Sequence, residues 1–183
     1  MNIVLLAPLY LPPPEYFSVM AEADMAIIDT SMRYDKRRKD VHRTVVSGKD
    51  GFSSFLTVPV STPGTSRCAW NNVGVSAHGE WWRVQKMTMS TLYGRTPYFD
   101  LFRHDLFPYF SAESIGSSIT DLNIKLIIAI RRLTGIKTPL SVTLDPRYED
   151  DKDIIINDMR IFNFYAADDV RSVIEVLFQN GKI

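Results

Sequence analysis

The stretch Asn2–Phe17, NIVLLAPLYLPPPEYF, decides how this chain is read. Ile3–Leu6 is a short apolar run of branched residues, so it predicts a strand covered on both faces. The segment Ala7–Pro14 follows with four prolines, which donate no backbone N–H, and it must be a loop. A helix is expected after it, with Glu15 in the first turn and Phe17, Met20 and Ala21 on one side. Met25–Ile28 repeats the short apolar run and ends at Asp29. Strand, loop, helix, strand is a βαβ opening, and it predicts an α/β chain with a mixed, partly parallel sheet and helices packed on it.

The rest of the chain extends this frame. Arg33–Arg43 is dense in charge. Thr44–Ser47 and Phe52–Val60 are expected as strands joined by the turn Gly48–Gly51. Ser61–Ser66 is expected as a loop and Trp70–Ser76 as a further strand. A helix is expected from Trp81 to Tyr93, stopping at Gly94, with Trp81, Val84, Thr88 and Leu92 on one face and Gln85 and Met89 alongside. Pro97–Phe110 is expected as another helical segment. Ser118 and Asp121 resemble a capping box. Ile119, Leu122, Leu126, Ile130 and Leu133 then form an apolar helical stripe, and Gly135 ends it. Leu140–Leu144 is expected as a strand and Asp145–Asp153 as an acidic loop. Ile154–Ile156 and Met159–Phe164 are expected as strand or extended chain. Asp168 or Asp169 should cap a last helix closed by Gly181. Without a repeat or a linker, 183 residues fit a single domain spanning 1–183.

Composition narrows the function classes. At 45% hydrophobic and 23% charged residues the chain has globular proportions. Lys plus Arg and Asp plus Glu number 21 each, so no long-range field draws nucleic acid or an anionic membrane, and neither partner is expected. The lone Cys68 can form no internal disulfide and suits a reducing compartment. No stretch is long enough to span a bilayer, so the expected location is cytoplasmic. No standard catalytic or nucleotide motif is present, no motif names a cofactor, and His42, His78 and His104 lack ligand-like spacing, so no metal is expected.

Three constellations remain. The loop Pro8–Phe17, carrying Tyr10 and Tyr16, leaves a buried strand where α/β sheets bind ligands. Its plain alternative is a stiff connector whose aromatics pack on the sheet. In Arg33–Arg43, Arg43 stands out because the following strand would hold its planar fork of donors for a phosphate or carboxylate. Lys36–Lys39 reads as solvated surface. Trp81, Tyr93, Tyr98 and Phe99 form an aromatic group that either packs or lines a pocket.

Together these segments resemble the WbqC-like protein family, in its short Bacteroidetes-type branch. The residues that carry the likeness are Tyr10–Leu11–Pro12 with Tyr16–Phe17, then His42–Arg43 before Thr57–Val60, and then Trp81, Tyr93, Pro97, Tyr98 and Phe99. Leu122–Asn123, Thr134–Gly135–Ile136 and Val176–Gly181 complete it. The likeness implies transfer of a small acyl or aminoacyl group to a sugar-nucleotide or carrier-linked substrate in surface polysaccharide assembly. Under it, Asp29 is the general base, and Tyr10, Tyr16, Arg43, Tyr98 and Asn123 shape the substrate site. The expected partner is a phosphate-bearing small molecule or carrier-linked substrate, and a homo-oligomer is left open. Three positions depart from the family pattern: Ala7 stands for a common Gln, His42 for an Asn and Gln85 for a His. Those departures imply the alternative of a non-catalytic binding or scaffold protein.

Overall fold

The computed structural model describes residues 1–48, 51–64, 68–143, 154–164 and 171–183. The two apolar runs of the opening form parallel neighbours. Strand β1 (Asn2–Leu6) pairs with β2 (Met25–Asp29) in the register Leu5↔Ile27, and helix α1 (Pro14–Glu22) connects them. Pro14 stands at the first helical position, where its missing N–H costs nothing and its fixed φ suits a helix. Strands β7 (Leu140–Thr143) and β8 (Ile155–Asp158) add in parallel on either side, giving the order β7-β2-β1-β8. The chain is α/β, with a four-stranded parallel sheet and five α-helices among the described residues.

Alternation places Val4, Leu6, Ala26 and Ile28 in the main core, with the buried side chains of every described α-helix. Ile3, Leu5 and Ile27 face the other way and cluster with Met25 and Ile154. Both sets are buried, which is why the sequence shows continuous apolar runs rather than alternation.

A separate antiparallel hairpin joins β3 (Arg43–Ser47) to β4 (Ser53–Thr57). The expected strand Phe52–Val60 is shorter: a last bond in the same register runs from the Val58 N–H to the His42 carbonyl, 2.8 Å away, and Pro59 beyond it has no N–H to donate. A two-residue pair follows, β5 (Val60–Ser61) with β6 (Gly74–Val75). Trp70–Asn72, expected as strand, is a 3₁₀ turn that buries the Trp70 ring. Helix α2 (Trp81–Tyr93) keeps its predicted bounds, and its inward face is shifted from the Val84–Thr88 side toward Gln85 and Met89. Trp81, Gln85, Met89 and Tyr93 point inward, and Val84 is exposed. The stripe is rotated because a polar Gln85, bonded to Tyr10, occupies a core position.

Helix α3 (Phe99–Leu106) gives way to a 3₁₀ turn at Phe107–Tyr109, where Pro108 cannot extend an α-helix. Helix α4 (Ile119–Leu133) has Ser118 at its N-cap as expected, but the hydroxyl accepts from the Thr120 N–H at 3.1 Å rather than closing a box with Asp121. It ends at Gly135, whose φ of 72° lets the Ile136 N–H reach back to the Arg131 carbonyl. The last helix α5 (Val173–Asn180) has Ser172 at its N-cap position, so it begins later than expected; Asp168 and Asp169 lie outside the described residues, as does the acidic stretch Asp145–Asp153. Met159–Phe164 forms turns rather than a strand, with the Phe162 N–H on the Met159 carbonyl. No described helix is long and apolar enough to cross a membrane.

Candidate functional site

All four strands of the main sheet run one way, so Leu6, Asp29, Thr143 and Asp158 end at a common carboxyl edge. The chain passes from β1 to β2 and β7 on one side, whereas β8 lies on the other side of β1. Such a reversal opens a crevice beyond the strand ends, where α/β proteins bind ligands. Among the described residues three segments leave this edge: Ala7–Pro13 after β1, Thr30–His42 after β2 and Met159–Phe164 after β8.

One arginine ties two of the strand ends together. Asp29 and Asp158 flank β1 on the same face of the sheet, and Arg160 bridges them. Its guanidinium reaches Asp29 Oδ2 at 2.6 Å and Asp158 Oδ2 at 2.5 Å. The Asp29 side chain is 2% exposed and its Oδ1 accepts from the Ser31 N–H and hydroxyl at 2.8 and 2.6 Å. The Arg160 hydrogen bonds hold the Asp158 carboxyl below the usual carboxylate range, and Arg160 itself is held more firmly in its charged form. The Arg160 carbonyl accepts from Arg38 at 3.0 Å, and Arg38 forks onto Asp40. The Asp40 carbonyl in turn receives the Tyr10 N–H at 3.0 Å. The three loops of the carboxyl edge are thus joined through Arg160, Arg38 and Asp40.

A cleft of about 670 Å³ opens between two of these loops, lined by Met32, Arg33, Tyr34, Asp35, Lys36, Arg38 and Ile161. Its wall is fixed. Met32–Tyr34 runs antiparallel to Cys68–Trp70 through two backbone hydrogen bonds of 2.9 Å, and the Tyr34 ring meets Trp70 edge-on at 4.6 Å. Arg37 neutralises Asp35, and the Arg37 hydrogen bond lowers the pKa of that carboxyl. Arg33 and Lys36 pair with no carboxylate among the described residues. Two cations beside a concave, partly apolar surface suit an anionic group on a larger ligand.

The residues singled out in the sequence fall in different places. Tyr10 is fully buried, its hydroxyl donating to Gln85 Oε1 of α2. Tyr16 is buried too, donating to the Ala7 carbonyl at 2.9 Å. Burial pushes both phenols far above the usual tyrosine pKa. Asn123 of α4 donates to the carbonyls of Pro8 and Val41, both at 2.7 Å. These three side chains brace the proline loop from below. That loop is strained: Leu11 has a φ of 44°, and hydrogen bonds from Tyr10 to Asp40, from Thr44 to Leu11 and from Val173 to Pro12 hold it. Asp29 lies at the carboxyl edge, engaged by Arg160.

Arg43 and Tyr98 are not brought to the cleft wall. Arg43 alternates with the inward Thr44 and Val46, so it lies on the outer face of the β3–β4 hairpin, 5.1 Å over the Phe55 ring and bonded to Thr57 Oγ1. Tyr98 is 39% exposed and abuts Gly181. His42, one of the departures, bonds Val58 O through Nδ1, and desolvation depresses its pKa. Within the charged run the sequence singles out Arg43 and gives Lys36–Lys39 as solvated surface, so it does not mark Met32, Arg33, Tyr34 and Lys36 as a cleft wall. The signal was present: the strand-end rule that selected Pro8–Phe17 after β1 applies equally to the segment after β2.

No curated protein and no solved structure matches the chain. A model of the WbqC-like protein family matches residues 7–177, taking in both the proline loop and the cleft, and the chain belongs to that family.

Proposed function

We propose that this protein binds a phosphate-bearing small molecule in the cleft between Met32–Arg38 and Ile161, and that the bound molecule is a substrate of small-group transfer. The observation that carries the reading is Arg33 with Lys36, two cations without carboxylate partners among the described residues, on a wall held by hydrogen bonds. Family membership supports the chemistry: the likeness implies an acyl or aminoacyl transfer to a sugar-nucleotide or carrier-linked acceptor in surface polysaccharide assembly. In such a transfer the acceptor amine or hydroxyl attacks the carbonyl carbon of an activated acyl group. A C–N or C–O bond forms, the bond to the leaving group breaks, the leaving group departs with the electron pair, and the acceptor proton passes to a base. Asp29, at the end of β2 and just before the cleft residue Met32, is the candidate base.

A second reading, binding without catalysis, is favoured by the state of that carboxylate. Asp29 Oδ2 faces Arg160 and Oδ1 accepts twice from Ser31, so the base would have to shed a partner to take a proton. One experiment tests both. The protein is titrated with nucleotide sugars and acyl-coenzyme A by calorimetry, and mixtures of donor and acceptor are examined by mass spectrometry. Binding that the double variant Arg33→Ala/Lys36→Ala loses supports the cleft. A transferred-group product then selects the enzyme, and its absence selects the binder. Absence of binding to every phosphate-bearing ligand would refute both.

A further inference from the structure

The mouth of the cleft is apolar on one side and cationic on the other. Ile161 is 83% exposed and its neighbour Phe162 51% exposed. Phe162 is held in that position, edge-on against Phe164 at 4.9 Å, and the turn carrying it is closed by its own N–H on Met159 O. Arg38 ties this turn to the opposite wall through Arg160 O. On that wall, Arg33–Asp40 holds five cations against two carboxylates, in a chain whose net charge is zero. Lys36, Arg37 and Lys39 of that run are exposed.

A free nucleotide or sugar phosphate seated on Arg33 and Lys36 would leave Arg37, Lys39 and Phe162 untouched and in water. Neighbouring exposed apolar side chains rimmed by charge are a feature of macromolecular contacts as well as of ligand grooves. A flat anionic membrane would meet the rim but leave a cleft of about 670 Å³ unfilled. A protein-borne ligand satisfies both parts: its anionic arm enters the cleft and its acidic surface meets the cationic rim.

Resting on the cleft-binding reading above, we infer that the ligand arrives tethered: the cleft takes the phosphate-linked prosthetic arm of an acidic carrier domain, and Arg37, Lys39 and Phe162 dock the carrier's surface. The arm's phosphodiester sits where the carrier surface ends, so Arg33 and Lys36 meet it at the mouth. The rim cations steer an acidic partner, and the contact weakens as salt screens them. A rim of this extent fits a transient encounter rather than a permanent complex.

The test uses the full chain with an acyl carrier protein and a peptidyl carrier domain, each prepared with and without its phosphopantetheine arm. Coenzyme A serves as the free arm, and phosphatidylglycerol vesicles serve as the anionic surface. Armed carrier should bind at least about tenfold more tightly than unarmed carrier, the equivalent of about 1.4 kcal/mol, and binding should fall with salt. The rim variant Lys39→Glu should lose carrier binding about tenfold or more and keep coenzyme A binding. Phe162→Ser gives an independent, uncharged check. Arg33→Ala/Lys36→Ala should lose both ligands. Unchanged melting temperatures show that each variant is folded. Binding of coenzyme A or a nucleotide sugar with no binding of either armed carrier overturns the inference and leaves the cleft reading standing. Rim variants that bind carrier normally, or vesicle binding that armed carrier does not displace, also overturn it. Failure of every phosphate-bearing probe removes the cleft reading itself.

Discussion

Replacing Arg160 by alanine should destabilise the protein far more than replacing any exposed arginine. The substitution leaves the Asp29 carboxylate, 2% exposed, without its one cationic partner among the described residues and removes two hydrogen bonds that hold Asp158. Removing one member of a buried pair costs about 3–5 kcal/mol. Arg160 is 29% exposed, so solvent screens part of the interaction and the lower end, about 3 kcal/mol, is expected. For a chain of this size that loss lowers the melting temperature by about 6–12 °C. The assay is urea unfolding followed by tryptophan fluorescence, with Arg37→Ala as control. Arg37 pairs with Asp35 in open solvent, its side chain 85% exposed, and its loss should leave the unfolding midpoint in place. The pH dependence gives a second reading. Asp158 is depressed in the native state, so its contribution is full above the ordinary carboxylate value of about 3.9 and is lost as pH falls through the native value. Arg160→Ala should therefore flatten the acid limb of the stability curve. An Arg160→Ala protein as stable as Arg37→Ala would refute the idea that this residue knits the carboxyl edge together.

Four further outcomes follow from the packing. Tyr10→Phe leaves Gln85 buried without its hydroxyl donor and should cost about 1–3 kcal/mol, whereas adding Gln85→Leu should recover part of that loss, giving a non-additive cycle in urea unfolding. Gly181→Ala should destabilise more than Gly135→Ala: both have positive φ, but only at Gly181 would the new Cβ lie 2.6 Å from the Tyr98 ring. Thermal unfolding of the pair checks this. In a spectrophotometric titration Tyr10, Tyr16 and Tyr93 should resist ionisation until the chain unfolds, because burial raises all three. The unfolded chain loses those protons first, so stability should fall as pH rises through about 10. Phe178→Ala, which empties a fully buried site between Tyr93 and Phe99, should cost about 3–5 kcal/mol by the same urea assay.

The centre of the sheet was legible because β1 and β2 are short and apolar on both faces. Ile3–Leu6 and Met25–Ile28, with a proline-started helix between them, leave little choice but parallel pairing. The ends of α4 were legible because Ser118 and Gly135 each supply a local hydrogen-bonding geometry. The inward face of α2 was not, because Gln85 is buried by a bond to a residue 75 positions away. Nor was the break after Thr57, where Pro59 overrides a run that reads as strand. For the site, the strand-end rule placed Asp29 and the proline loop at the carboxyl edge. It could not say that Tyr10, Tyr16 and Asn123 turn inward, since all three are satisfied by backbone or side-chain partners distant in the chain. Arg43 pointed outward because alternation in β3 buries Thr44 and Val46. The Arg160 bridge was invisible for the same reason as Gln85: Asp29 and Arg160 are 131 residues apart, and only the parallel register brings them together.

The central claim is that a phosphate-bearing ligand occupies the cleft at the carboxyl edge. Nitrogen–proton correlation spectra of the labelled protein, recorded while a nucleotide sugar or coenzyme A is added, test it most directly. The account predicts saturable shifts concentrated in Met32–Arg38 and around Ile161, with the β3–β4 hairpin unmoved and no shifts in Arg33→Ala/Lys36→Ala. Shifts centred on Arg43 and Phe55, or a spectrum that no phosphate-bearing ligand changes, would contradict it.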